Sequence, residues 1–162
     1  DGGLPAWYAA GGVVTSGAAT KHPPTQFQAS TPRATLVTAS QVQERLGQPT
    51  QNLIDARAEA RFRGEVEPID PVAGHIPGAL NRPFGSNIND DGLFKPAVVL
   101  KAEFLELLDG RDPGTVVHHC GSGVSAVPNI IAMEIAGLGR AALFAGSWSE
   151  WCRDPALPVE KG

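Results

Sequence analysis

Apolar residues along this chain come in short bursts, cut by glycine, proline and polar turns. Leu36-Val37, Asn52-Leu-Ile-Asp55, Leu80-Asn81, Thr115-Val-Val117 and Ala141-Ala-Leu-Phe144 read as strands. Between them lie stretches with helical spacing. Thr38 or Ser40 can cap a brief helix through Val42, Glu44 and Leu46, ended by Gly47. Ala56 to Phe62 reads as helix closed by Gly64, and Ala102 to Leu108 as a helix with Phe104, Leu105 and Leu108 on its apolar stripe. A further helix is predicted through Val127, Ile130, Ile131, Met133 and Ile135. Strands and helices alternate without a hairpin signal. The fold class is therefore α/β, a central and mainly parallel sheet with helices on both faces. Such sheets bind ligands at the carboxyl ends of their strands.

Cys120 falls at one of those ends. The Thr115 strand runs into it, and Gly121-Ser-Gly-Val-Ser125 separates it from the next helix. A cysteine between a strand end and a helix start faces free backbone N–H groups, and that field favours thiolate over thiol. Gly121 and Gly123 let the backbone turn those groups inward at little steric cost. Ser125 is the natural N-cap of the helix, and Pro128 is tolerated in its first turn. Ser122 can donate its hydroxyl to a bound group. Cys152 follows Trp151 in a segment with no glycine loop and is expected to pack rather than react.

Composition narrows the partners. The 162 residues are 42% hydrophobic and 19% charged with a net charge of -4, which suits one globular domain and gives no reason for nucleic acid or an anionic membrane as partner. No apolar run approaches the ~20 residues of a membrane span. Two cysteines are too few for a disulfide scaffold, so a reducing, cytoplasmic setting is expected, although a chain opening at Asp1 says nothing of targeting. Residues 11–33 have the glycine and proline content of an extended linker. Asp1-Gly-Gly-Leu-Pro-Ala-Trp7-Tyr8 and Ala145-Gly-Ser-Trp-Ser-Glu-Trp151-Cys152 repeat glycine and tryptophan at the same offsets, 144 residues apart. If the second copy closes residues 34–162, the first (residues 1–10) closes an earlier domain of similar length.

Leu53-Ile-Asp-Ala-Arg57, Gly74-His-Ile-Pro-Gly-Ala79, Cys120-Gly-Ser-Gly-Val-Ser125-Ala126 and Gly146-Ser-Trp-Ser-Glu-Trp151 appear in the order typical of the rhodanese superfamily. Residues 34–160 resemble the C-terminal, catalytic half of a tandem-rhodanese sulfurtransferase. The resemblance implies a persulfide carried on Cys120, no metal or organic cofactor, and an N-terminal rhodanese domain as partner. It also implies a small-molecule sulfur donor and an acceptor that is cyanide or a thiol, thioredoxin among them. The uncharged loop Gly121, Ser122, Gly123, Val124, Ser125 is similar to that of 3-mercaptopyruvate sulfurtransferases, whereas thiosulfate users tend to carry basic side chains there. The resemblance assigns the donor's carboxylate to Arg61. The family's second carboxylate arginine belongs in the loop Glu65-Val-Glu-Pro-Ile-Asp-Pro-Val72, which has none, leaving Arg63 or Arg82 to compensate. Arg57 is expected to be structural.

Three other readings stand beside this one. Thiosulfate is the runner-up donor, and a domain that relays persulfide without its own donor is the non-enzymatic alternative. A phosphatase of related fold needs arginine six positions after the cysteine, where Ala126 stands. His75 more often fastens a loop than acts as a base. His118 and His119 alternate across their strand and are expected to be satisfied there.

Overall fold

The computed structural model describes residues 1–30 and 34–162. Among the described residues thirteen elements include five strands: β1 (Leu36–Val37), β2 (Asn52–Asp55), β3 (Leu80–Asn81), β4 (Val116–His119) and β5 (Ala142–Phe144). They form one sheet in the order β1-β5-β4-β2-β3, with every pairing parallel. The central strand β4 is buried along its whole length. Its register against β2 pairs Leu53 with Val117 and Asp55 with His119.

Alternation along these strands sorts the core into two layers. Leu53 and Val117 join Phe144 on one face, with Val42 of α2 (Ala39–Glu44) and Trp148 and Trp151 of α6 (Ser147–Trp151). Ile54 and Val116 point the other way, onto α4 (Ala97–Leu108) and α5 (Val127–Ile135). Trp148, Trp151, Phe104 and Phe144 are wholly buried, each worth roughly 2–3 kcal/mol of apolar transfer. Of the two candidate caps it is Thr38 that caps α2, reciprocally with Gln41, while Ser40 lies inside the helix.

Three expectations change. The helix expected over 56–62 shrinks to α3 (Glu59–Phe62). The Asp55 carboxylate accepts the Arg57 N–H at 2.9 Å, and Ala56 N–H donates to His119 O at 2.9 Å, so residues 56 and 57 stay tied to the carboxyl ends of β2 and β4. Helix α4 begins five residues earlier than its apolar stripe suggested, because Val98 and Val99 face solvent and give no periodic signal. Its buried row is Leu100, Phe104 and Leu108, at fourfold spacing, while Leu105 is 43% exposed. Ser125 does not cap α5; the helix enters through Ala126 with no side-chain cap bond.

The repeated segments each open a short helix, although the equivalent glycines differ, Gly2 at φ 77° and Gly146 at φ -62°. Residues 3–9 form α1 (Gly3–Ala9), and Gly3 and Ser147, equivalent in the repeat, both take left-handed φ, 62° and 56°. Trp7 Nε1 donates to Val13 O at 3.1 Å, and Trp151 Nε1 donates to Pro158 O at 2.8 Å. The two differ in surroundings: Trp151 is wholly buried and Trp7 is 56% exposed. Residues 13–30 have no helix or strand and are almost entirely exposed. The remaining positions of the expected linker, 31–33, lie outside the described residues.

Candidate active site

Strand β4 delivers Cys120 to the floor of a cavity of about 320 Å³ at the carboxyl end of the sheet. Its walls include Ala56, Arg57, Arg61, Asp70, Ser122 and Ser125. Cys120 is 2% exposed, so a reacting group must enter the cavity to reach it. Helix α6 fixes the loop from below. Ser147 Oγ accepts the Cys120 N–H at 3.1 Å and donates to Phe144 O at 2.9 Å. Trp148 and Ser149 N–H groups donate to the carbonyls of Cys120 and Gly121 at 3.0 and 2.8 Å.

Pinned through its carbonyls, the loop leaves its donors free. Among the described residues, no protein acceptor meets the backbone N–H of Gly121, Ser122, Gly123, Val124, Ser125 or Ala126. Six successive unpaired donors at a helix start form a nest for negative charge. Gly123 is indispensable to that shape: its φ is +81°, and a Cβ there would lie 2.5 Å from Ala145 O.

The other wall carries charge. The Asp55 carboxylate, wholly buried, accepts from Arg57 Nε at 2.9 Å and from its terminal nitrogen at 2.6 Å. Arg57 also donates to Gly74 O at 2.7 Å, and its guanidinium lies 4.8 Å from the Trp148 ring centre. Arg57 is thus structural. Arg61 enters the cavity, but Glu67 accepts from it at 2.7 and 3.2 Å and Asp70 at 3.2 Å. Burial would raise the Glu67 carboxyl, yet the Arg61 hydrogen bonds and the N–H groups of Asp70 and Ile69 outweigh it and hold its pKa low. Glu67 and Asp70 were not singled out from the sequence. The acidic loop that lacks an arginine was their signal.

The remaining candidates lie elsewhere. Arg63 is half exposed, pairs with Glu59 and Glu65, and faces a separate cavity with Phe62 and Asn81. Arg82 is buried over Phe104 and paired with Glu103 at 2.7 Å. His75 stacks on Phe62 and bonds Phe62 O at 2.8 Å, clasping the loop against Glu160. His118 meets Met133 Sδ at 3.1 Å, while His119 lies on the opposite face beside Phe144, its Nδ1 3.9 Å from Asp55. Satisfaction fails for both rings: His118 Nδ1 and both His119 nitrogens are buried without a hydrogen-bond partner. Burial pushes both imidazoles down, His118 to about 3. Cys152 packs in the Trp148 and Trp151 core, its thiol pushed up by burial and by Asp70. Among the described residues, no group of three or more His, Cys, Asp or Glu side chains is placed to hold a metal ion.

The parallel sheet, glycine-lined thiol loop and paired arginines define an α/β domain with a buried thiol at the carboxyl end of its sheet. Residues 38–154 match the rhodanese-like domain family model, and the chain belongs to that family. It is 50% identical over 162 residues to a Pseudomonas aeruginosa protein named "Probable 3-mercaptopyruvate sulfurtransferase". It is 34% identical to human 3-mercaptopyruvate sulfurtransferase over 154 residues and to rat thiosulfate sulfurtransferase over 168. The alignments cover 100%, 93% and 100% of this chain but 57%, 51% and 56% of those relatives, so the chain spans about half their length. A solved structure of the anaerobic ergothioneine biosynthesis enzyme from Chlorobium limicola shares the fold. Its TM-score is 0.86 at 24% identity, over 99% of this chain and 40% of that one.

Proposed function

We propose that this chain is a sulfurtransferase domain that moves sulfur from 3-mercaptopyruvate to a thiol or cyanide through Cys120. The carrying observation is the run of unpaired N–H groups from Gly121 to Ala126 around a buried thiol. The Cys120 thiolate attacks the donor's sulfur and the donor's carbon–sulfur bond breaks. The electron pair leaves on carbon, which takes the proton from the transferred sulfur and departs as pyruvate. The outer persulfide sulfur, now negative, sits among the loop N–H groups, which need no reorganisation to receive it. An acceptor thiolate or cyanide then attacks that sulfur, and the sulfur–sulfur bond breaks to restore Cys120. The uncharged side chains of Gly121, Ser122, Gly123, Val124 and Ser125 suit a donor whose reacting end is neutral. Arg61 is the side-chain cation that can meet its carboxylate.

Thiosulfate is the second reading, because the same N–H groups can hold sulfonate oxygens. Residues 1–10 are read as the end of a preceding rhodanese domain on the strength of the shared left-handed residue and tryptophan bond. Both cysteines are free, which suits a reducing, cytoplasmic setting and a thiol acceptor such as thioredoxin. Among the described residues no helix is long and apolar enough to cross a membrane. Steady-state turnover with each donor and cyanide tests the proposal. Mercaptopyruvate should exceed thiosulfate by about tenfold or more, roughly 1.4 kcal/mol in the transition state. Equal or inverted rates overturn the donor assignment, and any turnover by Cys120→Ser overturns the site.

A further inference from the structure

The charges beside Cys120 do not cancel. Asp55, Glu67 and Asp70 face the two guanidiniums of Arg57 and Arg61, leaving one negative charge in excess. The three carboxylates have different work. Asp55 holds Arg57 to the carboxyl end of β2. Glu67 bridges Arg57 and Arg61 and also accepts the N–H groups of Ile69 and Asp70, so it fastens the loop itself. Asp70 has one side-chain bond among the described residues, from Arg61 at 3.2 Å. Its side chain is 2% exposed and lines the cavity with Cys120.

The other terminal nitrogen of Arg61 points at the Cys120 loop, 3.5 Å from where a Cβ on Gly121 would stand. Arg61 therefore spans from the acidic loop to the thiol loop, as a group gripping the donor's far end must. We infer that Asp70 is a built-in competitor for that grip: its carboxylate shares one Arg61 nitrogen with Glu67 and sets a buried negative charge beside the nitrogen that faces the thiol loop, and it weakens the binding of every carboxylate donor and product. The inference rests on the sulfurtransferase reading and makes Asp70 a specificity-determining residue. A carboxylate entering beside an intact Asp70 meets a like charge, so Asp70 must turn away from Arg61 for the donor to seat. Its neighbours Ile69, 73% exposed, and Pro71 are open to solvent on either side of the buried Asp70.

Asp70→Asn removes the charge and keeps the shape. Calorimetric titration with pyruvate should show about tenfold tighter binding than the unaltered chain. The KM for 3-mercaptopyruvate should fall similarly, while that for mercaptoacetone, which lacks the carboxylate, should not move. Asp70→Ser must show the same gain, and adding Arg61→Gln must abolish it. Unchanged pyruvate affinity in both Asp70 variants, or an equal gain for mercaptoacetone, overturns the inference. Pyruvate binding is read without turnover. A failure of the sulfurtransferase reading, seen as no mercaptopyruvate preference in the unaltered chain, is therefore distinguished from a failure of this one.

Discussion

Gly123 and Gly121 occupy the same loop, yet the structure predicts opposite outcomes for their replacement by alanine. A Cβ at Gly123 would stand 2.5 Å from Ala145 O and 3.2 Å from two further Ala145 backbone atoms. Ordinary contact begins near 3.4 Å, so the loop must shift by close to an ångström, since the opposing atoms are backbone. The left-handed φ of +81° adds about 1–2 kcal/mol of strain for any L side chain. A displacement of about 1 Å in a catalytic array can cost on the order of 100-fold in rate. At Gly121 the nearest atoms to a Cβ are the Arg61 nitrogens at 3.5 and 3.8 Å, an ordinary contact with a flexible side chain. The assay is single-turnover persulfidation of Cys120, followed by intact mass as the gain of one sulfur atom. Gly123→Ala should slow this step by about 100-fold and lower stability to urea by about 1–2 kcal/mol. Gly121→Ala should stay within about threefold of the parent, less than 1 kcal/mol in the barrier. A folded Gly123→Ala that persulfidates at the parent rate refutes the claim that loop shape stabilises the reacting sulfur.

Other outcomes follow from the same geometry. His118 is neutral in the fold, with a pKa of about 3 against 6.5 when unfolded, so below pH 6.5 the unfolded chain alone gains the proton. Stability should fall with pH across that window, by about 2 kcal/mol between pH 7 and 5 from this residue; His118→Leu should flatten the urea-midpoint profile over that range by one proton. Asp55→Asn removes the nearer counter-charge of the buried Arg57, leaving Glu67 at 3.4 Å, and should cost about 3 kcal/mol, read as a strongly lowered melting transition. Cys152, with its thiol pKa raised by burial, should resist alkylation in the native state, and Cys152→Ala should retain sulfur transfer while losing about 1 kcal/mol of stability.

Much of this fold was legible because its signals are local. Short apolar bursts bounded by glycine and proline gave β2 residue for residue and placed β1 and β3 correctly. Thr38 and Gln41 carry their own capping chemistry within one turn. Where the prediction slipped, a tertiary contact had overridden the local pattern. Ala56 and Arg57 have helical composition but are captured by His119 O and the Asp55 carboxylate. The start of α4 was hidden because an exposed valine pair carries no periodicity.

The sequence by itself determined the thiol, its glycine loop and its station at a strand end, since the backbone of a few neighbouring residues creates that environment. It also supplied the uncharged loop and the missing arginine of the acidic loop. Only the tertiary structure decided what Arg61 does. Its partners Glu67 and Asp70 lie in a loop whose path depends on Arg57, Gly74 and the His75 clasp, and no spacing along the chain encodes that meeting. Likewise, which loop donors remain unpaired depends on helix α6 holding the carbonyls of Cys120 and Gly121 from across the sheet edge. Local chemistry is written in neighbouring residues. The charge that surrounds it is set by what folding brings alongside.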